Sequence, residues 1–150
     1  MVFRDFAEPD FASLEAYEKA KLGPQPPHVY RCTPAALRFF SRSGHSFMAL
    51  DQGRIVGLAL GQALWQGDQV TVLLTRILAD AQEVYRGLLG AVVKSAYDAG
   101  VYEVALHLDP SHLELKSALE AHSFVLGPKI LAVRVLGSRG QRGEVRGVLE

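Results

Sequence analysis

Apolar and polar positions in the first third of the chain predict one short strand followed by two helices. Residues 2–6 alternate with the two-residue period of a half-buried strand. Apolar residues then recur at helical spacing after Asp10, a favourable N-cap residue, and we expect a helix to about Leu22, with Glu18 off its apolar face. Thr33, with proline at the first helical position, predicts the start of a second helix that Gly44 ends.

Three strand-like segments come next, and each is separated from the following one by a turn that contains glycine. The segments are residues 46–50, 55–64 and 70–78. Turns of this length join neighbouring antiparallel strands. The pattern therefore predicts an antiparallel meander of three strands.

A long amphipathic helix over about residues 82–99 follows the meander, and Gly100 stands where a C-cap glycine belongs. Residues 101–108 are apolar and β-branched at their start, which predicts another strand. A strand, a helix and a strand in succession favour a right-handed parallel crossover.

The last part of the chain predicts one more helix and a final pair of strands. We expect the helix over about residues 112–121, capped by residues 109–111. Residues 124–126 and 130–136 are typical of a hairpin or of one bent strand. Residues 137–150 contain several glycines and arginines but few apolar anchors, so we expect a mobile tail.

Together these elements predict a single α+β domain, with mixed α/β character, over residues 1–136. Its central mixed sheet should have about six or seven strands, flanked by about four helices. A length of 150 residues with 49% hydrophobic residues suits one domain with one core.

Charge and cysteine content narrow the classes of partner. The 16 basic and 16 acidic residues give a net charge of zero, so we expect no nucleic-acid or membrane partner, while a homodimer is plausible. Neither a signal-peptide pattern nor a membrane-spanning apolar run is present, which predicts a cytoplasmic protein. Cys32 is the single cysteine, and it fits a packed apolar position better than a nucleophile because no basic partner is evident.

The order of elements resembles that of the GNAT (GCN5-related N-acetyltransferase) superfamily over residues 2–136. Four segments carry the resemblance, and they are residues 3–11, 53–59, 86–100 and 123–128. The second reads Gly53-Arg54-Ile55-Val56-Gly57, similar to the family's third strand. The resemblance implies acetyl-CoA or another acyl-CoA as co-substrate and transfer of the acyl group to an amine of a small molecule or peptide.

The turn before the long helix departs from the glycine-rich pyrophosphate loop of that family. Glu83 and Tyr85 stand at the two glycine positions, where a side chain would block close approach of a phosphate. Asp80 and Glu83 would also repel the phosphates, unless they are ordinary acids that stabilise the helix start. A second alignment instead places residues 86–90, an R-G-x-x-G sequence, on the loop and shortens the helix.

The resemblance also implies cofactor-binding positions. The pantetheine arm would pair with the main chain of Ile77, Leu78 and Ala79. The phosphates would lie against the start of the long helix, at Gln82, Val84, Tyr85, Arg86 and Gly87. We expect no metal, because a matching third ligand is not visible.

Catalytic groups of the family are harder to place. The tyrosine position of the last helix falls on Leu119, and the fourth strand carries no carboxylate. His107 and His112 are weak substitutes, since histidine titrates near neutral pH, although ordinary surface or core-edge histidines are the simpler interpretation. The acceptor side would be formed by His28, Tyr30 and Trp65.

Two main functional hypotheses follow. One is an acyl-CoA-dependent N-acyltransferase with a degenerate pyrophosphate loop. The other is a catalytically inactive GNAT-fold binding or interaction module, which the missing loop glycines and catalytic groups favour. A purely structural homodimer is a third interpretation.

Overall fold

A computed structural model describes residues 1–24, 30–134 and 136 of the chain. Besides a 3-10 turn at Glu8–Asp10 it has five strands and four helices in the described part. In chain order the elements are β1 (Val2–Arg4), α1 (Phe11–Leu22), α2 (Pro34–Ser41), β2 (Phe47–Asp51), β3 (Arg54–Gln66), β4 (Gln69–Ala79), α3 (Gln82–Asp98), β5 (Glu103–Leu106) and α4 (Leu113–Ala121).

All strands of the described chain belong to one sheet, in the order β1-β2-β3-β4-β5. The first four pair antiparallel with their neighbours, and β5 pairs parallel with β4. The predicted meander and the mixed α+β class are therefore confirmed. The sheet has five strands rather than the six or seven expected.

The missing strands are those predicted at the C-terminal end. Residues 124–134 form no strand, and Ile130 and Val125 are exposed by 93% and 87%. The prediction rested on β-branched and apolar residues, but a strand also needs a neighbour for its backbone hydrogen bonds, and this segment has none in the described chain. The predicted tail at 137–150 lies outside the described residues.

The sheet is covered by helices on both faces. Leu58 and Ala59 of β3 are neighbours, so their side chains point to opposite faces, and they belong to two different buried clusters. The cluster of Leu58 includes Leu14 of α1 and Leu37 of α2. The cluster of Ala59 includes residues of α3 and α4, Leu88 among them. Helices α1 and α2 thus lie on one face, and α3 and α4 on the other.

The predicted helices are present, but some of their ends differ: α2 ends at Ser41, before Gly44, and α4 is capped by His112 and not by residues 109–111. The Thr33 hydroxyl accepts a hydrogen bond from the Ala36 amide at 3.2 Å, as an N-cap should. Gly100 follows α3 with a φ of +72°, a left-handed conformation that glycine adopts readily. Asp10, however, does not cap α1. Its carboxylate accepts from the Ala7 amide and pairs with Arg4, so it stabilises the 3-10 turn before the helix.

Two glycines allow α3 to lie close to the sheet. A Cβ on Gly87 would come within 1.9 Å of the Phe3 ring of β1. A Cβ on Gly57 of β3 would come within 2.6 Å of Val84 in the first turn of α3. The Gly57 contact sets the first turn of α3 against β3 where it pairs with the end of β4, and this is where the candidate site lies. Within the described part of the chain, no helix combines the length and apolarity needed to cross a membrane.

Candidate functional site

The most distinctive feature of the sheet is a bulge in β4 followed by an open edge. Leu60 pairs with Arg76 and Gly61 with Leu74, so Thr75 is an extra, bulged residue. Strand β5 pairs only with residues 71–74, before the bulge. Residues 75–79 have no strand beside them on that side within the described chain, and we call them the open β4 edge. Apart from the Ala79 group that bonds to the Tyr85 hydroxyl, their outward N–H and C=O groups are available to an extended ligand in the described chain.

The open β4 edge leads directly into the N-terminus of α3. The Val84 and Tyr85 amides both bond to the Ala81 carbonyl, at 3.1 and 3.2 Å. The Gln82 and Glu83 amides precede the first helical hydrogen bond, so they carry the unsatisfied positive end of the helix dipole. No side chain caps this helix. Ile77, Leu78, Ala79 and Gln82 thus lie along one continuous path from the strand into the helix.

The alternative alignment that placed residues 86–90 on the phosphate loop is wrong. Helix α3 begins at Gln82, so these residues lie within it. Gly87 faces Phe3 of β1. The side chains of Val84 and Tyr85 are buried, whereas Arg86 is exposed beside the helix start.

Asp80 is turned toward α1, not toward α3. Its carboxylate accepts a hydrogen bond from Tyr17 at 2.9 Å and one from Lys21 at 3.3 Å. Burial, and then the Asp80 carboxylate, raise the pKa of Tyr17, so the phenol remains a donor. The Asp80 carboxylate is thus bound by side chains of α1, and it makes no hydrogen bond to an α3 amide in the described chain. Lys21 balances its charge, and Glu83 is the exposed acid that remains in the first turn of α3.

The structure brings together Tyr85 and His112, two residues that sequence analysis treated separately. The Tyr85 hydroxyl lies 3.1 Å from His112 Nε2, and the rings meet edge to face at 5.4 Å. His112 is the N-cap of α4, where its Nδ1 accepts from the Leu115 amide at 3.2 Å. In the neutral imidazole Nε2 then carries the proton and donates to Tyr85 Oη.

Burial raises the pKa of Tyr85, and a hydrogen bond from the Ala79 backbone opposes this in part. The hydroxyl therefore lies between the last residue of the open β4 edge and the start of α4, and it is protonated at neutral pH. A second contact joins the same two helices, because Gln82 Nε2 donates to Ser117 Oγ at 2.6 Å. We call these two contacts the α3–α4 bridge.

The other predicted site residues are dispersed. His107 is exposed just after β5 and makes no contact with the Tyr85–His112 pair. Trp65 is 76% exposed and pairs with Val70, at the end of the β3–β4 ladder opposite Ala79. Tyr30 is exposed, and its carbonyl accepts from Arg76 beside the bulge. His28 lies outside the described residues.

Glu18 is a residue whose environment the sequence analysis misjudged. It is 3% exposed, where we expected it off the apolar face of α1. One carboxylate oxygen accepts from the Cys32 amide at 2.7 Å, and the other lies 3.7 Å from Nε of Arg76 on β4. A carboxylate thus reaches the fourth strand from α1. The spacing of residues could have indicated this burial, because Phe11, Leu14 and Glu18 share the i, i+3, i+7 face of a helix.

Cys32 lies against the same carboxylate. Burial and then hydrogen bonding to Glu18 raise the pKa of the Cys32 thiol to about 12. The thiol is therefore protonated and unreactive at neutral pH, which favours the packing role. Among the described side chains, no group of three His, Cys, Asp or Glu could hold a metal ion.

Comparison with known proteins yields one family and a set of solved structures. A family model described as "Protein of unknown function (DUF1999)" matches residues 1–148. No curated protein matches. Wild-type TTHA1254 from Thermus thermophilus is 55% identical, with a TM-score of 0.80 over 93% of this chain and 100% of its own.

More distant structures are acetyltransferases. A putative acetyltransferase from Agrobacterium tumefaciens is 15% identical, with a TM-score of 0.72 over 90% of this chain and 100% of its own. The aminoglycoside N-acetyltransferase AAC(6')-Iy in complex with CoA is 17% identical, with a TM-score of 0.70 over 89% of this chain and 93% of its own. Identities this low show the fold alone, which is that of GNAT acetyltransferases.

Proposed function

We propose that the chain, which belongs to the DUF1999 family of proteins of unknown function, transfers an acyl group from an acyl-CoA to an amine. The observation that carries the proposal is the open β4 edge, which starts at the Thr75 bulge and ends at the N-terminus of α3. The same edge, on this fold, is the position that the resemblance assigns to the pantetheine arm. We further propose that the protein works in the cytoplasm on a small-molecule or peptide amine.

The chemistry of the open β4 edge suits an acyl-CoA. The pantetheine arm contains amides, which would pair with main-chain groups of Ile77, Leu78 and Ala79 without requiring particular side chains. The amides of Gln82 and Glu83 and the side chain of Arg86 would face the phosphates. Pairing of Asp80 with Lys21 removes one of the two charges that would oppose them.

Tyr85 is the proposed catalytic acid. The amine nitrogen would attack the thioester carbonyl carbon, the C–S bond would break, and the proton that the amine loses would return to the Tyr85 phenolate after the thiolate has been protonated. Tyr85 Oη holds a proton at neutral pH, beside the Ala79 backbone, where it can be given to a leaving thiolate. Nε2 of His112 donates to Oη and would stabilise the resulting phenolate. Tyr85 would then be the proton donor, a role that Leu119, at the tyrosine position of the family, cannot have because its side chain carries no acidic proton. Tyr30, tied to Arg76 beside the bulge, is the proposed acceptor-side residue.

Isothermal titration with acetyl-CoA and with longer acyl-CoAs tests the proposal. We expect Arg86→Gln to weaken binding by about three- to tenfold, because it removes one exposed charge near a phosphate. The matched control is Arg42→Gln, which removes an exposed arginine beside α2 on the other face and should leave binding unchanged. No binding at millimolar ligand by the wild-type protein would overturn the proposal.

A second candidate function is that of a GNAT-fold binding module without acyl transfer. The α3–α4 bridge supports it, because Gln82–Ser117 and Tyr85–His112 tie the two helices together beside the open β4 edge. The two candidates differ in turnover, which can be followed as release of free CoA thiol with a panel of amines. If Ser117→Ala strengthens acetyl-CoA binding without any turnover, the binding module is the better description.

A further inference from the structure

Within the part of the chain that the structure describes, strand β5 leaves one edge of the sheet without a partner. Its four residues pair with β4 on one side, and β5 is the last strand of the sheet on the other. The outward backbone groups of Glu103–Leu106 are therefore unpaired in the described chain. An exposed edge of this kind is a template for another strand.

The segment of residues 124–134 has the residues of a strand but no strand to pair with in the described chain. Its apolar and β-branched residues predict a strand, yet it forms none, and no backbone hydrogen bond in the described chain involves residues 125–134. Five of its apolar side chains are exposed, and they are Val125 87%, Leu126 45%, Ile130 93%, Leu131 59% and Val133 65%. Scattered exposed apolar residues are normal, but a run of them along one segment marks an interaction site.

Charge makes the edge and the segment complementary. Residues 101–109, which contain β5, carry two acids and no Lys or Arg, and the acids are Glu103 and Asp109. The segment carries two basic residues and no acid, and these are Lys129 and Arg134. Opposite charges on neighbouring strands favour pairing, whereas like charges oppose it.

We propose that residues 124–134 of one copy add as a strand to the outer edge of β5 in a second copy, so that two chains exchange these segments in a dimer. A second copy is the occupant because, in the described chain, the segment makes no backbone hydrogen bond to its own β5, although Phe124 packs against the same buried cluster as Val104 and Leu106, so the edge and residues 125–134 both lack a strand partner there. Reciprocal exchange satisfies both and closes the assembly at two copies. The inference does not depend on acyl-CoA binding.

Sedimentation equilibrium of the full chain provides the first test. We expect a mass of about twice 16.4 kDa for the wild type at tens of micromolar. Ile130→Asp combined with Val133→Asp should give a monomer with unchanged circular dichroism. The control is Tyr97→Asp, which places the same charge on an 83% exposed aromatic of α3 and should leave the dimer intact. A monomeric wild type, or a dimer that survives the double substitution, overturns the proposal.

Disulfide trapping distinguishes a second copy from the chain's own edge. In a Cys32→Ser background, Ala105→Cys of β5 is combined in turn with a single cysteine substitution at each position from 130 to 134, so that both side-chain faces of the segment are covered. Paired cysteines need Cα atoms within about 7 Å, so at least one combination should form a bond if the strands pair. A covalent dimer on a non-reducing gel supports exchange. A covalently closed monomer, or no bond in any combination, refutes it.

Discussion

The hydrogen bond between Tyr85 and His112 should make a measurable contribution to stability. Tyr85→Phe removes the hydroxyl that lies 3.1 Å from Nε2 and retains the ring that packs edge to face on the imidazole. His112→Asn removes the imidazole but keeps an acceptor at the N-cap of α4, where asparagine is as favourable as any residue. Together the two substitutions form a double-mutant cycle.

The size of the effect follows from burial. Tyr85 is 3% exposed, and a neutral hydrogen bond between groups of this kind contributes about 1 kcal/mol net. His112→Asn also leaves the buried Tyr85 hydroxyl without this partner, which costs about 1–3 kcal/mol, whereas Tyr85→Phe leaves only the exposed His112, which water can satisfy. We therefore expect each single variant to lose about 1–2 kcal/mol of unfolding free energy. The double variant should lose less than their sum, with a coupling energy of about 1 kcal/mol.

Urea denaturation of the wild type and the three variants measures this coupling. Tyr97→Phe is the control, because Tyr97 is 83% exposed and the same loss of a hydroxyl there should cost almost nothing. A coupling energy below about 0.3 kcal/mol would show that the hydrogen bond does not hold α3 to α4.

The same variants separate a structural contact from catalysis. If Tyr85 gives its proton to the leaving thiolate, Tyr85→Phe should lower kcat by about a hundredfold or more. Its KM for acyl-CoA should change little, because the lost interaction forms only in the transition state. Turnover at the wild-type rate in a folded Tyr85→Phe protein would exclude the catalytic role.

Three further predictions concern stability. Gly61→Ala should lower the free energy of unfolding by about 1–3 kcal/mol, because the new Cβ would lie 2.5 Å from the backbone oxygen of His45. An unchanged midpoint of urea denaturation would contradict this. Burial lowers the pKa of His45 below its unfolded value of 6.5, so on acidification the unfolded chain binds the proton first. The contribution of neutral His45 to stability should therefore be complete above about pH 6.5 and should decrease below it. A Tm that falls as steeply with pH in the His45→Gln variant would contradict this. Glu18→Gln should lower the free energy of unfolding by about 1–3 kcal/mol, because it removes the buried charge that faces the partly buried Arg76, and exposed Glu120→Gln is the control in thermal unfolding.

Local signals in the sequence located most elements of the fold. Glycine-containing turns and short apolar runs predicted β2, β3 and β4 as a meander, and Thr33 predicted the start of α2. These features work through neighbouring residues, so the sequence alone shows them. Residues 124–134 have the same local signals but no strand, because pairing depends on an edge elsewhere in the sheet or in another copy.

The candidate site depends on contacts that no local pattern shows. Tyr85 and His112 are 27 residues apart in sequence and meet because α3 and α4 pack side by side. Glu18 is charged, which suggested a solvated position, yet its helical phase places it on the face of Leu14. The bulge at Thr75 follows from a shift in the β3–β4 register, and no residue type marks it in the sequence.

The charge that the acidic turn before α3 presents to a phosphate is smaller in the folded chain than the sequence suggests. Asp80 suggested a charge opposing phosphates, but Lys21 and Tyr17, which are 59 and 63 residues away, bind its carboxylate from α1. The remaining exposed charges at the helix start are Glu83 and Arg86, which are opposite in sign. The Val84 and Tyr85 amides are bonded to Ala81, so the amides of Gln82 and Glu83 are the ones left for a phosphate. Because Asp80 is already paired and Arg86 opposes Glu83, substituting the two acids alone should change CoA affinity only a few fold.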